Sequence, residues 1–127
     1  MSRFRVSLFI YQPEQPGDPY MYAYTGGGGG QAHGNVKSVY GQGSHDIVVS
    51  IAKKSQGKDD RYRIEKVVFS GRGKRQFSWR QGNDSHVVVI DNDATGPADV
   101  EYSIYVQDTR NRDVFICDPM IKNVPPS

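Results

Sequence analysis

Apolar side chains recur at every second position along much of this chain, and no long stretch repeats them at helical spacing. The first run, Arg3–Gln12, puts Phe4, Val6, Leu8 and Ile10 on one side and Phe9 and Tyr11 on the other, as a strand with one face in a core would. Tyr20–Tyr24 follows as a short edge strand, then Asn35–Tyr40, then Asp46–Ala52 with Ile47, Val49 and Ile51 inward. Arg61–Ser70 changes phase midway: Tyr62 and Ile64 set one parity, Val67 and Phe69 the other. A slip of one residue turns every later side chain to the opposite face, so the spacing predicts a bulge near Glu65–Lys66. Arg75–Arg80 points Phe77 and Trp79 together, and Val87–Ile90 is apolar throughout, like an interior strand buried on both sides. Val100, Tyr102, Ile104 and Val106 then alternate with Glu101, Ser103, Tyr105 and Gln107. A turn over Asp108–Asp113 leads to Val114–Cys117, expected to be the last strand.

Glycine, proline, asparagine and aspartate separate these runs at intervals of roughly ten residues, which predicts an all-β chain of eight or nine strands. The expected architecture is one antiparallel β-sandwich, immunoglobulin-like or prealbumin-like, over residues 1–127. A closed barrel is the alternative, but Pro13 and Pro119 suit edges in need of protection. Five consecutive glycines, Gly26–Gly30, are costly to order and predict a flexible loop over 26–34; residues 119–127 read as a proline-containing tail.

Composition narrows the function classes. No apolar run approaches the roughly 18 residues of a membrane-spanning helix. The single cysteine, Cys117, excludes an internal disulfide framework and multi-cysteine zinc sites, and suits a reducing compartment. The first residues alternate instead of forming the unbroken apolar run of a secretion signal, so the expected location is cytoplasmic. The net charge of +2 conceals an asymmetry. Residues 53–80 hold ten basic and three acidic residues, giving +7, whereas residues 91–118 hold seven acidic and two basic, giving −5. Three readings follow: the segments pair as neighbouring strands, copies associate basic patch to acidic patch, or the basic segment meets nucleic acid with Phe77 and Trp79 as stacking platforms. The third is weakened because two aromatics two residues apart on a strand face are core positions.

The candidate chemistry is sparse. His33, His45 and His86 fall at loop-to-strand borders with no spacing that brings them together around a metal. Asp91-Asn92-Asp93-Ala94-Thr95-Gly96 resembles half a calcium loop, but Tyr102 stands where the bidentate acid belongs. The glycine run lacks the lysine and hydroxyl residue of a phosphate loop. Cys117 next to Asp118 is a filler and not a nucleophile, because an adjacent carboxylate raises a thiol pKa. The aromatic cluster Tyr11, Tyr20, Tyr22, Tyr24 and Tyr40, with the basic residues Arg72, Lys74 and Arg75, supplies the candidate binding residues. Asp118-Pro119 reads as a strand terminator, since proline cannot donate to a ladder.

The stretch Val100–Asp108 followed by Phe115–Asn123, with its Asp118-Pro119 before Ile121, resembles the end of small bacterial proteins of the DP-EP family. More distantly it is similar to inclusion-body proteins of the PixA/AidA type. The resemblance implies a single small all-β domain with no assigned catalytic activity. The expected function is non-enzymatic association, including with copies of the same chain and with other proteins, without cofactor or metal. The alternative is a carbohydrate-binding module using the tyrosines and Trp79. Nucleic acid ranks below both, and no membrane is implied.

Overall fold

The computed structural model describes residues 2–11, 13, 15, 17–26, 36–39, 45–53, 61–83, 85–91, 98–117 and 120–124. Side chains are described at the same positions except 2, 3, 36–39, 45, 91, 98, 99 and 120–124. These residues form ten strands and one 3-10 turn, Lys74–Gln76. The strands are β1 (Ser2–Tyr11), β2 (Met21–Gly26), β3 (Val36–Val39), β4 (His45–Ile51), β5 (Tyr62–Arg72), β6 (Phe77–Asn83), β7 (His86–Asp91), β8 (Ala98–Asp108), β9 (Asp113–Cys117) and β10 (Met120–Val124). One sheet runs β2-β1-β4-β7-β6; the other runs β3-β10-β8-β5, with β9 also paired to β8. The chain is all-β, as the alternation predicts.

The pairing is mixed and not purely antiparallel. β1 lies parallel to β4, Phe4 facing Ile47 and Leu8 facing Ile51, and β3 lies parallel to β10. Period-two patterning fixes which face a residue takes but says nothing about the direction of a distant partner. The expected last strand is also superseded, because β10 follows it where a tail was expected. Cys117 faces Ile104 and Met120 faces Glu101, three residues further along each strand, so β10 resumes on β8 in the register that β9 left. Residues 118 and 119 fall outside the described residues.

The predicted bulge is present: the β5–β8 register shifts between Ile64 and Lys66. It lets Tyr62 and Ile64 on one side of the shift and Val67 on the other all turn inward. Inward residues of both sheets form one core cluster, including Val6, Leu8, Ile47, Val49, Val87 and Val89 from the first and Tyr62, Ile64, Val100, Tyr102, Ile104 and Val106 from the second. Burial of such side chains stabilises by roughly 1.5–3 kcal/mol each before the entropy of ordering the chain is subtracted. β7 is buried on both faces at Val87, Val88 and Val89, as expected of an interior strand. Gly26 ends β2 and does not belong to a loop: it pairs with Val6 and adopts φ 87°. A Cβ there would collide with the Arg5 carbonyl oxygen, so the first glycine of the run is required by packing.

Candidate functional site

The strongest polar constellation lies where β5 begins and β8 ends. Asp108 has the parity of Val100, Tyr102, Ile104 and Val106 and is fully buried with them, the one polar or charged residue so placed among the described side chains. Arg61 reaches it with both arms of its guanidinium, Nε to Oδ1 at 2.9 Å and Nη2 to Oδ2 at 2.7 Å. The Tyr20 hydroxyl donates to Oδ2 at 2.7 Å, and the Arg110 backbone N–H donates to Oδ1 at 3.1 Å. Asn111 donates its side-chain amide to the Tyr20 oxygen at 3.2 Å, and Thr109 donates through both N–H and hydroxyl to the Arg61 carbonyl.

The rings close over this cluster: Tyr20 stacks on Phe115 with centroids 4.1 Å apart, and both meet the Tyr62 ring edge to face. Burial by itself pushes the Asp108 carboxyl up, but the donated bonds from Arg61, Tyr20 and Arg110 overcome it and hold the group below the usual carboxylate value. Tyr20 is shifted upward, first by burial and then by its bond to Asp108. Every acceptor position of the carboxylate faces a donor, so the cluster is a lock between the chain entering β2, the start of β5 and the β8–β9 turn. Nothing in it is poised to exchange a proton near neutrality.

The tyrosines expected to form one exposed group are divided by the fold. Tyr24 is buried and donates to the Cys117 carbonyl at 3.1 Å, a bond between the two sheets. Tyr20 belongs to the Asp108 lock. Tyr11 and Tyr22 remain exposed, at 56% and 37%, and Met21, on the edge strand β2 opposite Tyr11, is 63% exposed. Tyr40 lies outside the described residues. Phe77 is buried and Trp79 packs partly buried against the core, so neither is a stacking platform.

Exposed apolar side chains matter most at a sheet edge, where unpaired backbone groups offer a template to another strand. Two of the outer strands are blunted. β5 carries the bulge at Ile64/Lys66 and the exposed charges Arg63, Glu65, Lys66 and Arg72; β6 carries a second register shift at Gln81/Asn83 and exposed Arg80. β3 has four residues and includes a lysine. β9, paired to β8, exposes Val114 and Ile116 but has five residues and begins with the charged Asp113. β2 differs from these four. Its sequence, Met-Tyr-Ala-Tyr-Thr-Gly, has no charge, and its six residues pair with β1 without a shift.

Arg72, Lys74 and Arg75 are exposed on the turn that carries the chain from β5 in one sheet to β6 in the other. The basic and acidic segments pair within the chain: β5 lies along β8 with Arg72 opposite Asp99, and Arg61 and Asp108 neutralise each other. Lys66 sits 4.6 Å above the Tyr105 ring across the same ladder. His86 is half-buried on the outer face of the first sheet; His33, the His45 side chain and residues 92–96 of the aspartate-rich turn lie outside the described residues. Among the described residues no group of three or more histidine, cysteine or acidic side chains could hold a metal ion. Cys117 is buried, as a filler would be. Among the described residues, no helix is long and apolar enough to cross a membrane. No family model matches the chain, and no curated protein matches it in sequence.

Proposed function

We propose that this chain is a cytoplasmic, non-enzymatic β-sandwich of immunoglobulin-like topology and DP-EP type that acts by association, and that copies of it meet through β2. The observation that carries the reading is the contrast among outer strands: β2 alone has six regularly paired residues with no bulge and no charge. The strand is also held ready, because Tyr24 ties its inner face to β9, while Met21 on the opposite face and Tyr22 beside Tyr24 stay exposed. Two copies joined edge to edge about a two-fold axis would extend the first sheet from five strands to ten. The contact is apolar and backbone-driven. Added salt therefore leaves it intact, unlike an association of basic with acidic segments.

The test is sedimentation velocity over a concentration series with variants at the centre of β2. Ala23→Lys places a like charge on both edges, as does Ala23→Glu, and each variant sediments as a monomer. Mixing the two restores the dimer. A wild-type chain that stays monomeric at high concentration, or variants that associate as well as the parent, overturns the proposal.

A further inference from the structure

The outer face of the first sheet carries a second, separate constellation, and the geometry points to a binding site for an acidic oligosaccharide laid across β1, β4, β7 and β6. Cross-strand register aligns Arg5, Val48, Val88 and Arg80 in one row. Both arginines are exposed, and among the described residues neither makes an ion pair. They stand three strand spacings apart, about 14 Å between backbones. Between them lies an apolar floor: Val48 is half-buried and Val88 is only 4% exposed.

The neighbouring row is polar and equally regular, with Ser7, Ser50 and His86 in register on the same face. The His86 imidazole lies over Gly82 of β6, where the absence of a side chain makes room for it. Asp46, one row further out opposite Arg3 and Ile90, is the carboxylate of this face among the described side chains and already has an interaction of its own. Two guanidiniums match carboxylates or sulfates, a row of hydroxyls and an imidazole matches ring hydroxyls, and half-buried Val48, backed by the buried Val88, matches the C–H face of a sugar ring. A nucleic acid fits less well. The rings of this face, Phe9 and Tyr11, lie toward the far end of β1, so no base could stack between the arginines.

The experiment titrates the full chain with a size-defined heparin octasaccharide, with a neutral maltooctaose and an eight-residue oligothymidylate as comparisons. Arg5→Gln/Arg80→Gln should lose at least tenfold in affinity for the octasaccharide, and Ser50→Ala about threefold with no change of charge. Lys74→Gln/Arg75→Gln, which removes as much charge from the exposed turn that leads into β6, outside the row, should bind like the parent. If the arginine pair lowers the melting temperature, Arg80→Gln alone, on an edge strand, carries the test. The site is overturned if the octasaccharide does not bind, if the two double variants lose affinity equally, or if the oligothymidylate binds as tightly.

Discussion

Replacing Asp108 should cost more than any other polar substitution among the described residues. The carboxylate is fully buried and receives four hydrogen bonds, two from the Arg61 guanidinium, one from Tyr20 and one from the Arg110 N–H. Asp108→Ala removes every acceptor at once and leaves the Arg61 side chain, only 11% exposed, without its counter-ion. Breaking a buried pair by deleting one partner typically costs about 3–5 kcal/mol. That is a large fraction of the roughly 5–15 kcal/mol that holds a typical domain together. It corresponds to a fall in melting temperature on the order of 10–20 °C for a chain of this size. Urea denaturation with matched m-values measures it.

The same geometry predicts the behaviour of the double variant. Arg61→Leu/Asp108→Leu leaves no unpaired charge in the lock, so it should be less destabilised than Asp108→Leu alone. The pH dependence has a definite sign. Because the folded carboxyl titrates below its unfolded value, the lock contributes fully above the unfolded value and loses its contribution as pH falls through the folded one. Stability of the parent should therefore decline below about pH 4, and Asp108→Asn should flatten that part of the curve. An Asp108→Ala variant within 1 kcal/mol of the parent, with an unchanged acid limb, would refute the reasoning.

Gly26→Ala combines a left-handed backbone with a collision at the Arg5 carbonyl, and should destabilise by about 2 kcal/mol or more in the same urea assay. Burial pushes the Tyr102 phenol far above its usual value, and raises Tyr62 as well. A raised acid stabilises the fold below its unfolded pKa and loses that effect as pH rises, so an ultraviolet titration should show phenols that ionise only on alkaline unfolding. Cys117 should resist a thiol reagent in the native chain and react on addition of denaturant. Glu65→Gln, which breaks an exposed 3.6 Å contact with Arg63, should change stability by no more than about 0.5 kcal/mol.

Parity along the strands was the legible part of this fold. The alternation of β8 and the phase change in β5 locate the inward faces and the bulge without any knowledge of partners, because a strand has only two sides. Asp108 was legible too, but only by extending that logic one step: it occupies the next inward position after Val106, whereas its charge and the following Thr-Arg-Asn suggest a turn. Its partner Arg61 adjoins Tyr62, the residue that faces Asp108 across the ladder. Pairing directions were not legible, since the parallel match of β1 with β4 joins segments some forty residues apart in sequence through backbone bonds that any side chain allows. β10 was hidden because a proline in sequence reads as the end of a strand, whereas Met120–Asn123 pair with β8 in the register that β9 left. The tyrosines were misleading for a related reason. Nearness in sequence gave them equal standing, and only their neighbours in the fold separate the buried Tyr24 and the locked Tyr20 from the exposed Tyr11 and Tyr22.

Amide hydrogen exchange followed by NMR at two protein concentrations tests the role of β2 most directly. The account predicts that protection of the Met21–Gly26 amides whose N–H groups point away from β1 rises with concentration, while the edge amides of β5 and β6 stay unchanged. Concentration-independent exchange along β2, or protection that grows on β5 or β6 instead, would contradict it.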